Sequence, residues 1–237
     1  MLSYFNIHTL NLKIELGILL SAFIILFGNV QSSYGQNSHA DLNPYLFNGK
    51  KYESNIPNIS QGHQYLLSPE YNSNFIFIKG ITYKADLNYD IFNQNIVIKY
   101  PESNKLISQI QIPKELIDSF FIEEKKFIIK NFFGNIRIYE IVGDNDMYFL
   151  TYYYKSKDLD SGFDIKTFNF SKTSKILYLY YKSDFHKYKN SRSFLKILDV
   201  DKKKTVKKFI KTNKLKFRNI KTADMERLLN FIKMEIK

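Results

Sequence analysis

Cysteine is absent from the chain. That excludes disulfides, thiolate metal sites, cysteine nucleophiles and a lipid-modified N-terminal cysteine. Small secreted animal proteins commonly rely on disulfides, so their absence tilts toward bacterial export and a fold held by its core. Glycine is also scarce, at 9 of 237 residues, and no phosphate-cradling loop or glycine-flanked nucleophile elbow is present. Arginine is rarer still, with four among 35 basic residues. After Phe27 no hydrophobic run is long enough to span a bilayer as a helix.

The one long apolar run is Leu16 to Phe27, uncharged, with Lys13 just upstream. It breaks at Gly28-Asn29 and is followed by Gln31-Ser32-Ser33-Tyr34-Gly35. A spanning helix needs about 20 apolar residues, so this run has signal-peptide length. Ser33 and Gly35 suit the small-residue positions before a signal-peptidase cut. The expectation is a signal peptide over 1–35, cleaved after Gly35, and an exported product in the periplasm, at the outer-membrane periphery or outside the cell. Retention as a membrane anchor is the alternative.

Charge is unevenly placed. Met1 to Asp164 carries 14 Lys+Arg against 17 Asp+Glu, whereas Ile165 to Lys237 carries 21 against 6. A basic surface of this kind attracts phosphates, nucleic acid, anionic headgroups or an acidic partner. The bland alternative is codon bias in an AT-rich genome, which favours lysine.

Periodicity divides the remainder. Residues 36–73 form an irregular lead-in with one short strand at most. From Asn74, β-branched and aromatic runs separated by turn residues predict successive strands: Phe75–Lys79, Ile81–Tyr83, Leu87–Phe92, Asn95–Tyr100, Lys105–Ile112, Leu116–Ile122 and Lys126–Asn131. Gly143-Asp144-Asn145-Asp146 predicts a hairpin between Ile136–Ile141 and Met147–Lys155. A second hairpin is expected between Phe163–Phe170 and Lys175–Lys182. Beyond Asp184 the period becomes helical, over Ser191–Leu198, Lys202–Thr212 and Thr222–Ile236, with Thr222 as the cap of the last. The fold class is therefore α+β: a curved antiparallel sheet or barrel-like β domain over 74–185, followed by C-terminal helices in a basic segment, 186–237.

The stretch Gly62 to Tyr100 resembles a family of uncharacterised, exported, β-rich proteins of gram-negative bacteria. The likeness is carried by Gly62-His63-Gln64-Tyr65-Leu66, Gly80-Ile81-Thr82-Tyr83 and Leu87-Asn88-Tyr89-Asp90-Ile91. Phe194-Leu195, Lys207 to Leu215 and the closing amphipathic helix are similar to that family's basic helical ending. This chain departs from it in having no tryptophan. The resemblance implies export and a β-rich architecture, and it implies no catalytic residue.

Candidate chemistry is thin. His63 and His186 stand alone, with no partner at metal-ligand spacing. Asp158-Leu159-Asp160-Ser161-Gly162-Phe163-Asp164 echoes a calcium loop, but its glycine comes one place early and no glutamate closes it, so a turn is expected. Glu123-Glu124, Asp144 and Asp158 are the carboxylates a hydrolase would draw on, and nothing in the sequence places two across a cleft. Neither an enzyme nor any metal or cofactor is expected. Two surfaces remain. Tyr148, Tyr152, Tyr154, Tyr178 and Tyr180 alternate along two strands and would offer stacking and hydroxyl contacts to an envelope protein or a glycan; cross-strand packing is the competing reading. Lys203, Lys204, Lys207, Lys208, Lys211, Lys214 and Arg218 would meet an anionic surface or polyanion. Export and scarce arginine disfavour nucleic acid. The expected function is a non-enzymatic binding or interaction module.

Overall fold

Branched and ring-bearing side chains pack well on a pleated surface, and the aromatic and isoleucine-rich runs form strands accordingly. The computed structural model describes residues 49–54, 61–101, 107–132, 134–144, 146–161 and 166–235. These residues form β1 (Lys50–Lys51), β2 (Asn72–Ile78), β3 (Ile81–Asp90), β4 (Asn95–Pro101), β5 (Ile107–Ile112), β6 (Ile117–Ile122), β7 (Lys125–Phe132), β8 (Asn135–Asp144), β9 (Met147–Tyr154), β10 (Lys157–Ser161), β11 (Lys166–Phe170), β12 (Ser174–Tyr181) and β13 (Asp184–Tyr188). Helices α1 (Ser191–Ile197), α2 (Val200–Thr212) and α3 (Thr222–Glu235) follow. The fold is α+β, with a mostly antiparallel sheet and three C-terminal helices. The expected signal segment, residues 1–35, and the lead-in residues 36–48 and 55–60 lie outside the described residues.

Among the described residues eleven strands make one sheet in the order β1-β5-β4-β3-β2-β6-β7-β8-β9-β12-β13, and β10 pairs with β11 in a separate two-stranded sheet. The sheet is open, which corrects the barrel alternative. Its two end strands explain why. β1 is two residues long, too short to close a ladder against β13, and α1 packs beside β13 at the other end.

Two further expectations are corrected. The runs around 171–174 do not form a hairpin: β11 turns back onto β10, while β12 pairs with β9 and β13. The sheet also continues beyond Asp184 into β13, where helix was expected. The turn into β13 uses Lys182 and Ser183, both at positive φ (55° and 63°). Such a turn ordinarily announces itself with Asn-Gly or Gly-Gly, so its sequence signal is missing here.

Apolar residues on one side of the sheet form two cores. The first joins Ile76, Ile78, Leu87, Tyr89, Ile96, Phe120 and Phe127, with Leu66 over them. The second joins Phe149, Leu177 and Leu179 of the sheet to Val206, Ile210, Phe217, Met225, Leu228 and Ile232. The three helices therefore cover the β8–β9–β12–β13 end of that side. Among the described residues no helix is long and apolar enough to cross a membrane.

Candidate functional site

Strand alternation sorts the tyrosines. On β9, Met147, Phe149 and Tyr153 point toward the helix side, leaving Tyr148, Leu150, Tyr152 and Tyr154 on the other. The register with β12 sets Tyr148 beside Tyr180, Leu150 beside Tyr178 and Tyr152 beside Ile176. All five tyrosines singled out in the sequence thus share the face opposite the helices. β13 adds Phe185 and Lys187, opposite Tyr180 and Tyr178. β7 and β8 add Lys130 beside Arg137, Phe132 beside Asn135 and Ile128 beside Tyr139. No carboxylate stands on this face of β7, β8, β9, β12 or β13 among the described residues.

The rings form a continuous array. Tyr148 stacks on Tyr180 with centroids 4.6 Å apart, and Tyr152 on Tyr154 at 5.9 Å. Phe185 bridges Tyr180 (4.8 Å) to Phe132 (4.1 Å), and Phe132 meets Tyr139 at 5.2 Å. Tyr139 in turn contacts Tyr152 (5.9 Å) and Tyr178 (6.0 Å). The Arg137 guanidinium lies 5.0 Å from the Tyr152 ring, a cation–π distance. A hollow of about 70 Å³ opens between Phe132, Asn135, Arg137, Tyr139, Tyr178 and Phe185. By the same measure a single water needs about 10–15 Å³, so the hollow has room for a side-chain tip. Tyr154 is 37% exposed, whereas Tyr148, Tyr152, Tyr178 and Tyr180 are half-buried. Burial among its neighbours pushes the Tyr139 hydroxyl up to about 12, and raises those of Tyr148 and Tyr152. All three therefore keep their protons at neutral pH and present O–H groups that both donate and accept.

Cross-strand packing and surface display coexist here. Mutual stacking fixes the rings, so it holds their hydroxyls in place. Arg137, Tyr139, Phe132 and Phe185 were not singled out in the sequence. The signal for Arg137 and Tyr139 was their alternation with Ile136 and Ile138; the other two needed the strand order.

The basic residues lie on the helix side. Lys204, Lys207, Lys208 and Lys211 are exposed on α2, Lys203 is half-buried, and Lys214 and Arg218 are exposed beyond its end. None of these seven forms an ion pair among the described residues. The structure gathers the five of them on α2 along one helix.

The other candidates are occupied by structural roles. Asp144 is ion-paired with Lys233 at 2.6 Å, tying β8 to α3. Glu123 and Glu124 are exposed turn residues between β6 and β7. Asp158 to Ser161 run as strand β10, which corrects the expected turn there, and residues 162–165 lie outside the described residues. His63 faces Lys155, whose ammonium donates to the carbonyls of His63 (2.6 Å) and Tyr65 (3.0 Å). Burial, then the Lys155 charge, lowers the His63 pKa. His186 is half-buried opposite Leu179. No group of three or more His, Asp or Glu suited to a metal is found among the described residues.

Two carboxylates, Asp90 and Glu140, are fully buried, and neither was singled out in the sequence as a buried charge. Glu140 is fully buried on β8 and accepts from Lys125 Nζ (2.8 Å), Thr222 Oγ1 (2.5 Å) and the Tyr153 hydroxyl. Thr222, expected to cap α3, instead uses its hydroxyl to moor that helix to the sheet. Every donor to Glu140 belongs to the framework. Comparison of the chain with family models, with curated proteins and with solved structures finds no match.

Proposed function

We propose that the chain is an exported, non-enzymatic binding module that holds a protein partner on the aromatic face of β7, β8, β9, β12 and β13. The single observation behind this reading is the joining of six tyrosines, Arg137 and two phenylalanines in one array without a carboxylate. Tyrosine and arginine dominate protein-binding hot spots because each offers a large, stiff contact area with a polar tip. The stacked ring faces are already engaged with one another, which favours a protein edge seated among hydroxyls over a sugar laid flat on a ring. Lys130, Arg137 and Lys187 make the partner's complementary charge negative.

Five strands about 4.8 Å apart and about eight residues of about 3.3 Å each give a face of roughly 500 Å². That lies below the roughly 800 Å² per partner of a stable complex, so the interaction belongs to the transient class. A bend in the sheet is part of the reading. Tyr89 on β3 reaches Phe127 on β7 with centroids 5.6 Å apart, although two strands intervene. Export rests on the apolar run 16–27 and on the resemblance of Gly62–Tyr100 to exported proteins; a mature N-terminus at Gln36 is its direct test by mass spectrometry.

The binding test compares proteins recovered from envelope fractions by the wild-type chain, by Arg137→Ala/Tyr154→Ala and by Lys204→Gln/Lys208→Gln. A partner held by the first and third and lost by the second is the expected result. Identical recovery by all three overturns the assignment of the face.

A further inference from the structure

The lysines of α2 are arranged as well as abundant. Val200, Lys204, Lys207 and Lys211 recur at i, i+4, i+7 and i+11, which sets them in one row along the helix. All four are exposed, and Val200, at the head of the row, is 82% exposed. Lys208 and Lys203 flank the row. The buried side of α2, Val206 and Ile210, is already engaged with the core, so this helix is anchored and its lysine row is free to face outward. At 1.5 Å per residue the row is about 16 Å long.

We infer that this row docks the protein on an anionic lipid surface, with Val200 entering the headgroup layer. Two observations favour a membrane over nucleic acid. Lysine is a point charge without the fork that reads base edges or grips one phosphate in two places, so a row of lysines suits a diffuse sheet of charge. An exposed valine heading the row has an apolar layer to enter at a membrane and none on a phosphate backbone. The only acidic residue of α2, Asp201, lies one residue from Val200 and three from Lys204, and it forms no ion pair with the row among the described residues. The geometry also orients the molecule. The helices cover one side of the sheet and the aromatic array lies on the other, so docking through α2 turns the tyrosines away from the lipid.

Each lysine near an anionic leaflet multiplies partitioning about fivefold, and salt suppresses the gain over a Debye length of about 8 Å. The test is co-sedimentation of the full chain with vesicles of phosphatidylcholine alone, or with about one third phosphatidylglycerol, at low and high salt. Neutral vesicles set the baseline for any other apolar segment. The expected result is salt-sensitive binding above that baseline to the anionic vesicles only. Lys204→Gln/Lys207→Gln/Lys211→Gln lowers it about a hundredfold, and Val200→Ser lowers it severalfold. Lys50→Gln/Lys84→Gln/Lys172→Gln, which removes equal charge elsewhere, falls far less. Equal binding to both vesicles, or equal loss in the two triple variants, overturns the inference. Retention on double-stranded DNA without partitioning onto the anionic vesicles overturns it in favour of nucleic acid. Near-ultraviolet circular dichroism confirms that each variant is folded, and all the exchanged side chains are exposed.

Discussion

Glu140 shows how one residue can decide a local structure. A fully buried carboxylate is tolerable only when its charge is matched and its oxygens are satisfied, and here three donors converge on it. Breaking such a pair strands the remaining charge, so Glu140→Gln is expected to cost about 3 kcal/mol in urea denaturation. The double variant Lys125→Met/Glu140→Gln recovers part of that loss, because no charge is then left unmatched. A double variant no more stable than the single one contradicts this account. Tyr188 presents the reverse case. Its ring packs against Phe149, Phe194 and Phe217, its buried hydroxyl has no partner among the described residues, and burial raises its pKa. Removing an unsatisfied hydroxyl removes its desolvation penalty, so Tyr188→Phe is expected to stabilise the protein by about 1 kcal/mol. An unchanged or lowered midpoint of thermal unfolding argues against it.

Elements are joined at a few tight points. Gly143, near the end of β8, has φ of 103°, and an added Cβ there would lie 2.2 Å from a Leu229 methyl on α3 and 3.0 Å from the Met147 carbonyl oxygen. Gly143→Ala therefore strains the backbone and pushes α3 from the sheet, with an expected loss of about 3 kcal/mol. Asp199 fastens the start of α2, accepting from Lys182 Nζ (2.6 Å) and the Tyr181 hydroxyl (2.7 Å). Those bonds hold its carboxyl well below the usual carboxylate range. A depressed folded pKa stabilises above the unfolded value, near 4, and the contribution is lost as pH falls through the folded value. The stability gap between wild type and Asp199→Asn is thus expected to be constant from about pH 7 to 5 and to shrink below about 4. A gap that widens with acid excludes the bond network as its cause.

The same junctions mark what was legible beforehand. Strands β2 to β9 and the three helices declare themselves through alternation and helical period, because each buries one side. β3 was expected as two runs, since Lys84 and Asp86 interrupt it, yet both simply point to its open face. β13 was invisible because Lys182-Ser183 carries none of the residues that favour positive φ. Alternation puts Tyr148, Tyr152 and Tyr154 on one face of β9 and Tyr178 and Tyr180 on one face of β12. That the two faces coincide, and that Phe132, Arg137 and Phe185 join them, is set by long-range strand pairing. Glu140 stayed hidden for a similar reason: its donors come from positions 125, 153 and 222.

At the scale of the whole molecule, charge is the unresolved tension. The net charge of +12 arises wholly from the last third, and α2 concentrates it. Lys203–Lys207, Lys204–Lys208 and Lys207–Lys211 are like-charge pairs one helical turn apart, each destabilising by about 0.2–0.5 kcal/mol. Together they set about 1 kcal/mol against the helix, and among the described residues no carboxylate pairs with these lysines. Salt screens that repulsion, so raising ionic strength from low to moderate is expected to lift the unfolding midpoint by about 2–4 °C for a domain of this size. Lys204→Gln/Lys207→Gln/Lys211→Gln removes all three pairs. Its midpoint should begin higher and respond less to salt. Anionic vesicles should raise the wild-type midpoint as salt does and leave that variant near its starting value, because only a ligand that prefers the folded lysine row shifts the equilibrium. A wild-type midpoint indifferent to both salt and vesicles would mean that the lysines are solvated independently and that the row stores no repulsion for a partner to release.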